Sequence, residues 1–261
     1  MTTHTSHDPG TFSWVELATN DPEAAKRFYG GLFGWAFDDQ PAGPGMIYTM
    51  CKLGDRTPGA LYKMGKEMAG IPPHWSSYVT VADVDATAKK VTASGGKLLK
   101  EPFDVMEFGR MAVAQDPSGG VLCLWQAKLH PGATVKGEPG SLCWNEIYST
   151  DVERAGKFYI DVFGWKTEGV DMGPMGTYTL FKRPGTDVNV GGMMAMPPTM
   201  KGVPSHWMPY FAVADCDAST KKATELGGKT MVPPMDIPNI GRFSIVVDPT
   251  GAALALYTNA H

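Results

Sequence analysis

The sequence predicts an α+β protein made of two tandem domains, each built from a pair of β-α-β-β-β units. The first observation behind this is a long internal repeat. Residues 14–125 recur, with edits, at 144–257: Trp14-Val15-Glu16 returns as Trp144-Asn145-Glu146, and the run Asp21 to Trp35 returns as Asp151 to Trp165, offset by 130. Later landmarks, His74-Trp75 with His206-Trp207 and Gly95-Gly96-Lys97 with Gly227-Gly228-Lys229, are offset by 132. The drift predicts a two-residue loop insertion between Tyr178 and Gly191. Second, the period is far longer than the roughly 20 to 50 residues of a solenoid repeat, so a whole domain was duplicated. Third, inside each copy a strand-helix-strands pattern starts twice.

In the first copy, Thr11 to Thr19 alternates with the period of a strand, placing Phe12, Trp14, Glu16 and Ala18 on one face. Asn20 or Asp21 then caps a helix, Pro22 suits its first turn, and Phe28, Leu32 and Phe33 recur at helical spacing until Gly34. Short strands follow near Trp35–Phe37, Met46–Lys52 and Gly59–Met64, separated by Pro- and Gly-rich turns. The pattern restarts at Trp75–Val81, with Asp83 capping a helix to Ala93 and Gly95-Gly96 ending it. Lys97–Lys100, Arg110–Ala114 and Val121–Gln126 read as three more strands, the last two joined by the turn Asp116-Pro117-Ser118-Gly119. The domains are placed at 10–127 and 141–259, with 128–140, dense in Pro and Gly, as the linker.

A length of 261 residues suffices for two domains with real cores. The net charge is −4 without a run of Lys or Arg, which argues against a nucleic-acid partner. No stretch approaches the length of a membrane span, and the polar start has no apolar signal core. Cys51, Cys123, Cys143 and Cys216 stand at positions that do not repeat between the copies. A disulfide framework would have been duplicated with its domain, so free thiols and a cytoplasmic location are expected. The expected partner is a small molecule, and the expected assembly a pseudo-dimeric monomer or a homodimer.

Three motifs then carry a resemblance: D-x-x-x-A-x-x-F-Y-x-x-x-F-G-W at 21–35 and 151–165, V-x-D-x-D-A at 81–86 and 213–218, and G-R-x-x-x-x-x-D-P-x-G at 109–119 and 241–251. In order and twice over, they resemble the vicinal oxygen chelate superfamily, which includes glyoxalase I, extradiol dioxygenases and bleomycin-resistance proteins. The resemblance implies that each pair of units forms a half-open barrel around one cavity. It also implies metal-ligand slots, which fall here on Trp14, Ser76 and Cys123 in the first copy and on Trp144, Met208 and Ala255 in the second. Neither set makes an adequate first shell for a divalent ion, so no cofactor is expected, and a metal only at a non-standard site. Of the six histidines, His4, His7, His74, His130, His206 and His261, only His74 and His206 fall inside a domain. A non-standard site would combine Glu16 with His74, or Glu146 with His206.

Those same groups are the candidate acid-base pair, Glu16 with His74. The candidate ligand wall comprises Trp14, Tyr48, Tyr62, Ser76, Tyr78 and Cys123, with Arg110 beside it. Trp144, Glu146, Tyr178 and His206 form the counterpart. A structural alternative pairs Glu16 with Arg110 and Glu146 with Arg242, because buried Glu is rare unless paired. The more polar Ser76, Cys123 and Tyr62, against Met208, Ala255 and Met194, favour the first cavity for a ligand. Three functions follow: a binder of a planar or hydrophobic metabolite or antibiotic, a glyoxalase-, dioxygenase- or hydroxylase-like enzyme, or a scaffold with collapsed cavities.

Overall fold

Asp21, Asp83, Asp151 and Asp215 open four helices by one device: each side chain accepts from the backbone N–H three residues on, at Ala24, Ala86, Arg154 and Ala218. The helices are α1 (Pro22–Phe33), α2 (Val84–Ala93), α3 (Val152–Phe163) and α4 (Cys216–Glu225). Gly34 and Gly164 end α1 and α3 in the left-handed region, at φ 72° and 70°, where a side chain would be strained. The structure, a computed structural model, describes residues 3–173, 176–200 and 202–260, so His261 lies outside the described residues.

The first copy contributes strands β1 (Phe12–Thr19), β2 (Ala36–Pro41), β3 (Ile47–Leu53), β4 (Arg56–Lys63), β5 (His74–Thr80), β6 (Lys97–Val105), β7 (Gly109–Gln115) and β8 (Val121–Ala127). The second contributes β9 (Leu142–Ser149), β10 (Lys166–Asp171), β11 (Thr177–Lys182), β12 (Asn189–Ala195), β13 (His206–Ala212), β14 (Lys229–Ile237), β15 (Gly241–Val247) and β16 (Ala253–Asn259). They form two eight-stranded sheets of identical order, β2-β3-β4-β1-β5-β8-β7-β6 and β10-β11-β12-β9-β13-β16-β15-β14. The order reads as two β-α-β-β-β units meeting at the antiparallel β1–β5 and β9–β13 pairs. Each sheet ends in two separate edges, so neither closes into a full barrel.

Edge strand β6 runs five residues past Lys100 because its register breaks between Leu98 and Lys100 and again between Lys100 and Phe103. Those irregularities, at a sheet edge, accommodate Pro102, which cannot donate to a ladder. The insertion in the second copy lies between β11 and β12, where the chain reaches Arg183 and returns at Asn189.

Beneath the helices lies one core shared by both copies, joining Leu17, Phe28, Tyr29 and Trp75 to Tyr159, Trp165, Trp207 and Phe211. Phe12 belongs to it, tilted against Trp165 and Trp207 at ring distances of 5.9 and 5.0 Å. The expected face of Phe12 is thus corrected: a register shift between Phe12 and Trp14 turns it away from Trp14 and Glu16 and into the domain interface.

Four polar bonds across that interface form two matched pairs. Trp35 Nε1 donates to the Gly140 carbonyl and Trp165 Nε1 to the Gly10 carbonyl, both at 2.8 Å. The buried Asp116 and Asp248 each gather the backbone N–H groups of their own D-P-x-G turn on one oxygen. Their other oxygens accept from tyrosines of the opposite domain, Tyr159 at 2.6 Å and Tyr29 at 2.8 Å. No helix among the described residues is long and apolar enough to cross a membrane.

Candidate functional site

On the face of each sheet away from the shared core sits a second, smaller cluster. In the first domain it holds Trp14, Ala60, Tyr78, Cys123 and Trp125, with Tyr48 and Met50 packed against it. Register explains the grouping: Trp14 lies opposite Tyr78, Glu16 opposite Ser76, and Ala18 opposite His74, so the alternate residues of β1 and β5 share one face. Tyr78 is in turn level with Cys123 on β8, and Tyr48 on β3 with Tyr62 on β4.

Glu16 is the centre of this face. Tyr48 donates its hydroxyl to one carboxylate oxygen at 2.7 Å and Tyr78 to the other at 2.5 Å. Tyr48 accepts in turn from Trp14 Nε1 at 3.1 Å. Burial raises the Glu16 pKa, and the two phenol bonds offset this only in part. Burial and the adjacent carboxylate push both Tyr48 and Tyr78 well above the ordinary phenol range, so both remain protonated donors. The second domain repeats the chain: Trp144 Nε1 donates to Tyr178 at 2.9 Å, and Tyr210 donates to Glu146 at 3.2 Å.

Among the described residues no cation pairs with Glu16 or Glu146, so the structural alternative of Glu–Arg pairs is not the arrangement found. Arg110 makes a bidentate pair with Asp85, at 2.8 and 2.9 Å, and Arg242 does the same with Asp217. Both arginines stand at the start of the strand next to the sheet edge, β7 or β15, facing the first turn of α2 or α4. Arg110 is therefore outside the Glu16 cluster.

Trp14 is not an open stacking wall. The imidazole of His130 packs edge-on against it at 4.6 Å and 88°, and against Trp125 at 5.9 Å. Trp125 Nε1 holds the His130 carbonyl at 3.0 Å, and Ala133 joins the same cluster. This stretch of the expected linker roofs the indole end of the first domain's inner face. Burial and nearby Lys52 lower the His130 pKa to about 4, so the ring is neutral there. No composition or spacing signal marks this residue.

The other end of that face stays accessible. Glu16, Tyr48, Tyr62, Ser76 and His74 all retain partial exposure. His74 Nδ1 lies 2.9 Å from the Pro72 carbonyl, which makes that nitrogen the donor and Nε2 the acceptor of the neutral ring. Because β1 and β5 are antiparallel, the shifts of Glu16 and His74 from the family slots run in the same direction along the sheet. The two stay diagonal neighbours, Glu16 facing Ser76 and His74 facing Ala18, and no direct bond joins them. Two surface clefts lie elsewhere, one of about 470 Å³ between Asp8, Val81, Phe163 and Arg183, the other of about 510 Å³ at the start of α4.

The metal positions implied by the resemblance do not fit a metal. Trp14 offers only an N–H, already given to Tyr48, and Ser76 a neutral hydroxyl. The Cys123 thiol is pushed far above its ordinary pKa by burial and by the Glu16 charge, the reverse of what a thiolate ligand needs. Among the described residues, no group of three or more His, Cys, Asp or Glu side chains converges as a metal site would require.

Comparison with known proteins agrees with this duplicated architecture. The profile of the Glyoxalase/Bleomycin resistance protein/Dioxygenase superfamily matches twice, over residues 11–124 and 141–256. The chain belongs to that superfamily. Within it, the chain is 40% identical over 258 residues to "Putative glyoxylase CFP32" of Mycobacterium tuberculosis, covering 98% of this chain and 97% of that protein. It is 34% identical over 263 residues to "Anthracycline biosynthesis protein DnrV" of Streptomyces peucetius, covering 95% and 93%. Among solved structures of the superfamily's fold, the Mn(II)-bound glyoxalase from Novosphingobium aromaticivorans superposes with a TM-score of 0.67 at 17% identity, covering 95% of this chain and 82% of that one. The 2,3-dioxygenase LapB from Pseudomonas sp. KL28 gives 0.66 at 13% identity, covering 97% and 94%. At such identities the likeness is one of fold.

Proposed function

We propose that the protein binds a planar, oxygen-bearing aromatic molecule at the accessible end of the first domain's inner face, with Glu16 and Tyr48 orienting its polar edge. The observation that carries this is Glu16 itself: a carboxyl held by two phenols, without a cation among the described residues, and still partly open. A polar group so placed within an apolar wall is what fixes a ligand's orientation. Tyr62, ring-stacked with Tyr48 at 6.4 Å, supplies aromatic surface, while Ser76 and His74 line the rim. The relative described as an anthracycline biosynthesis protein supports the ligand class, since anthracyclines are flat hydroxylated quinones.

Titration with 1,8-dihydroxyanthraquinone tests the reading. One saturable equivalent is expected, with Glu16→Gln and Tyr48→Phe each weakening it about tenfold, the factor of roughly 1.4 kcal/mol expected for a lost charge-assisted bond. Trp144→Phe should leave it unchanged. Absence of saturable binding, or binding indifferent to Glu16, would refute the proposal.

The raised pKa of Glu16 favours a second reading, proton transfer without a metal at the family's usual position. In its carboxylate form Glu16 takes a proton from a carbon beside a carbonyl and returns it to the neighbouring atom; while Glu16 holds that proton, the hydroxyls of Tyr48 and Tyr78 are released from it to donate to the developing oxyanion. Isomerisation of the methylglyoxal–glutathione hemithioacetal is a direct assay of this reading, chosen because the superfamily's description includes glyoxalases. Turnover that survives chelation and is lost in Glu16→Gln would establish it.

A further inference from the structure

Each inner face places a third phenol near its carboxyl, but the two copies take it from different strands. In the first domain it is Tyr62 on β4, and its partner across the parallel pair is Ala18 on β1. In the second it is Tyr148 on β9, whose partner on β12 is Met194. The pair Ala18–Tyr62 has become Tyr148–Met194, which moves the ring one strand inward.

That move changes what stands in front of the carboxyl. Tyr62 turns its hydroxyl outward to the Met68 sulfur at 3.7 Å and leaves Glu16 partly open. Tyr148 instead stacks on His206 at 5.5 Å and brings its hydroxyl within 3.5 Å of the Tyr210 hydroxyl. Tyr210 donates to the Glu146 carboxyl at 3.2 Å, and the nearby phenols of Tyr178 and Tyr148 also act to lower its pKa; Glu146 is only 5% exposed, and Met208, in place of Ser76, is buried beside it at 3%. Reaching Glu146 would require breaking the Tyr148–His206 stack and unpairing buried polar groups, both unfavourable.

We propose that the residue at this one position, Ala18 in the first domain and Tyr148 in the second, decides which carboxyl is reached. The first inner face receives ligand, and the second is a sealed copy whose phenols and carboxyl serve packing. For the ligand the inference rests on the function proposed above; for the accessibility of the two carboxyls it stands on the geometry alone.

Carbodiimide-driven coupling of glycine ethyl ester to carboxyl side chains of the folded protein, read by peptide mass spectrometry, tests accessibility without any ligand. Glu16 is expected to couple at least tenfold faster than Glu146. The exchange Ala18→Tyr with Tyr62→Met should slow coupling at Glu16 by about that factor. The reverse exchange, Tyr148→Ala with Met194→Tyr, should raise coupling at Glu146 several-fold, and adding Met208→Ser should bring it to the rate of Glu16. Tyr148→Phe keeps the ring and loses only the hydroxyl, so it should leave Glu146 protected; together with the wild-type ratio it decides the matter if neither exchange folds. Equal coupling of the two carboxyls in the wild type, rates indifferent to the exchanges in folded protein, or an exposed Glu146 in Tyr148→Phe would each overturn the proposal. With 1,8-dihydroxyanthraquinone, the expected stoichiometry is one for the wild type, none for the first exchange and two for the second with Met208→Ser added. Coupling that follows the expected pattern without saturable binding of this probe would overturn the ligand reading and leave the gate standing.

Discussion

The hydroxyl of Tyr29 in the first domain donates to the carboxylate of Asp248 in the second at 2.8 Å. It also accepts from Trp75 Nε1 at 3.0 Å, and Tyr159 repeats both bonds with Asp116 and Trp207. Each domain thus completes the buried turn of the other beside the core that both share.

Tyr29→Phe and Tyr159→Phe should each destabilise the protein by about 1.5–3 kcal/mol, the usual value for a hydrogen bond to a buried charge. The affected carboxylate keeps its turn N–H groups but loses its hydroxyl donor from across the interface, and an indole N–H loses its acceptor. Urea unfolding of the single and double variants measures this. Losses below 0.5 kcal/mol would mean that the interface bonds contribute little.

Glu16 and Glu146 make stability depend on pH with a definite sign. Burial raises both pKa values, so the folded protein holds protons that the unfolded chain releases near pH ~4.3. Above that pH the native state binds more protons than the unfolded one, so stability falls as pH rises through the window up to the raised values and is then level. Glu16→Gln and Glu146→Gln should each flatten part of this slope in urea melts taken every half unit from pH 4 to 8. A slope unaffected by both replacements would contradict the assignment.

Histidine acts in the opposite direction. Burial lowers His130 and His7 to about 4, with Lys52 and Lys136 respectively adding to the effect. Both are neutral in the folded state, so their contribution is complete above pH ~6.5 and is lost as pH falls toward 4. The expected loss is at most about 1.4 kcal/mol per pH unit for each residue. His130→Ala should be less stable than the wild type at pH 7 and approach it at pH 4.5. Because His130 covers Trp14, that variant should also shift indole fluorescence to the red.

Gly192 marks a close approach in the second domain. A methyl group built there would overlap the Tyr178 hydroxyl, the acceptor of the Trp144 N–H. Gly192→Ala should displace that phenol and cost about 1–3 kcal/mol, as overpacking usually does. A variant with unchanged stability would show that the phenol has room to move.

The duplication, the element order, the Asp83 helix cap and the Gly helix ends were legible in the sequence, because each rests on spacing within a few residues or on the repeat itself, whereas the choice of Asp21 over Asn20 as the first cap came from the structure. The sequence also brought Trp14 and Glu16, and within the next unit Ser76 and Tyr78, onto common faces, since strand alternation is local. What surrounds those faces was decided by tertiary structure. The register shift that turns Phe12 into the interface, the seat of His130 on Trp14, and the pairing of Arg110 with Asp85 rather than Glu16 all join segments remote in sequence. The change from Ala18 to Tyr148 and from Tyr62 to Met194 can be read from the two copies, yet its meaning depends on the parallel register that sets those residues side by side. Local propensity carries no information on such register, because it is set by which strands pair once the core has formed.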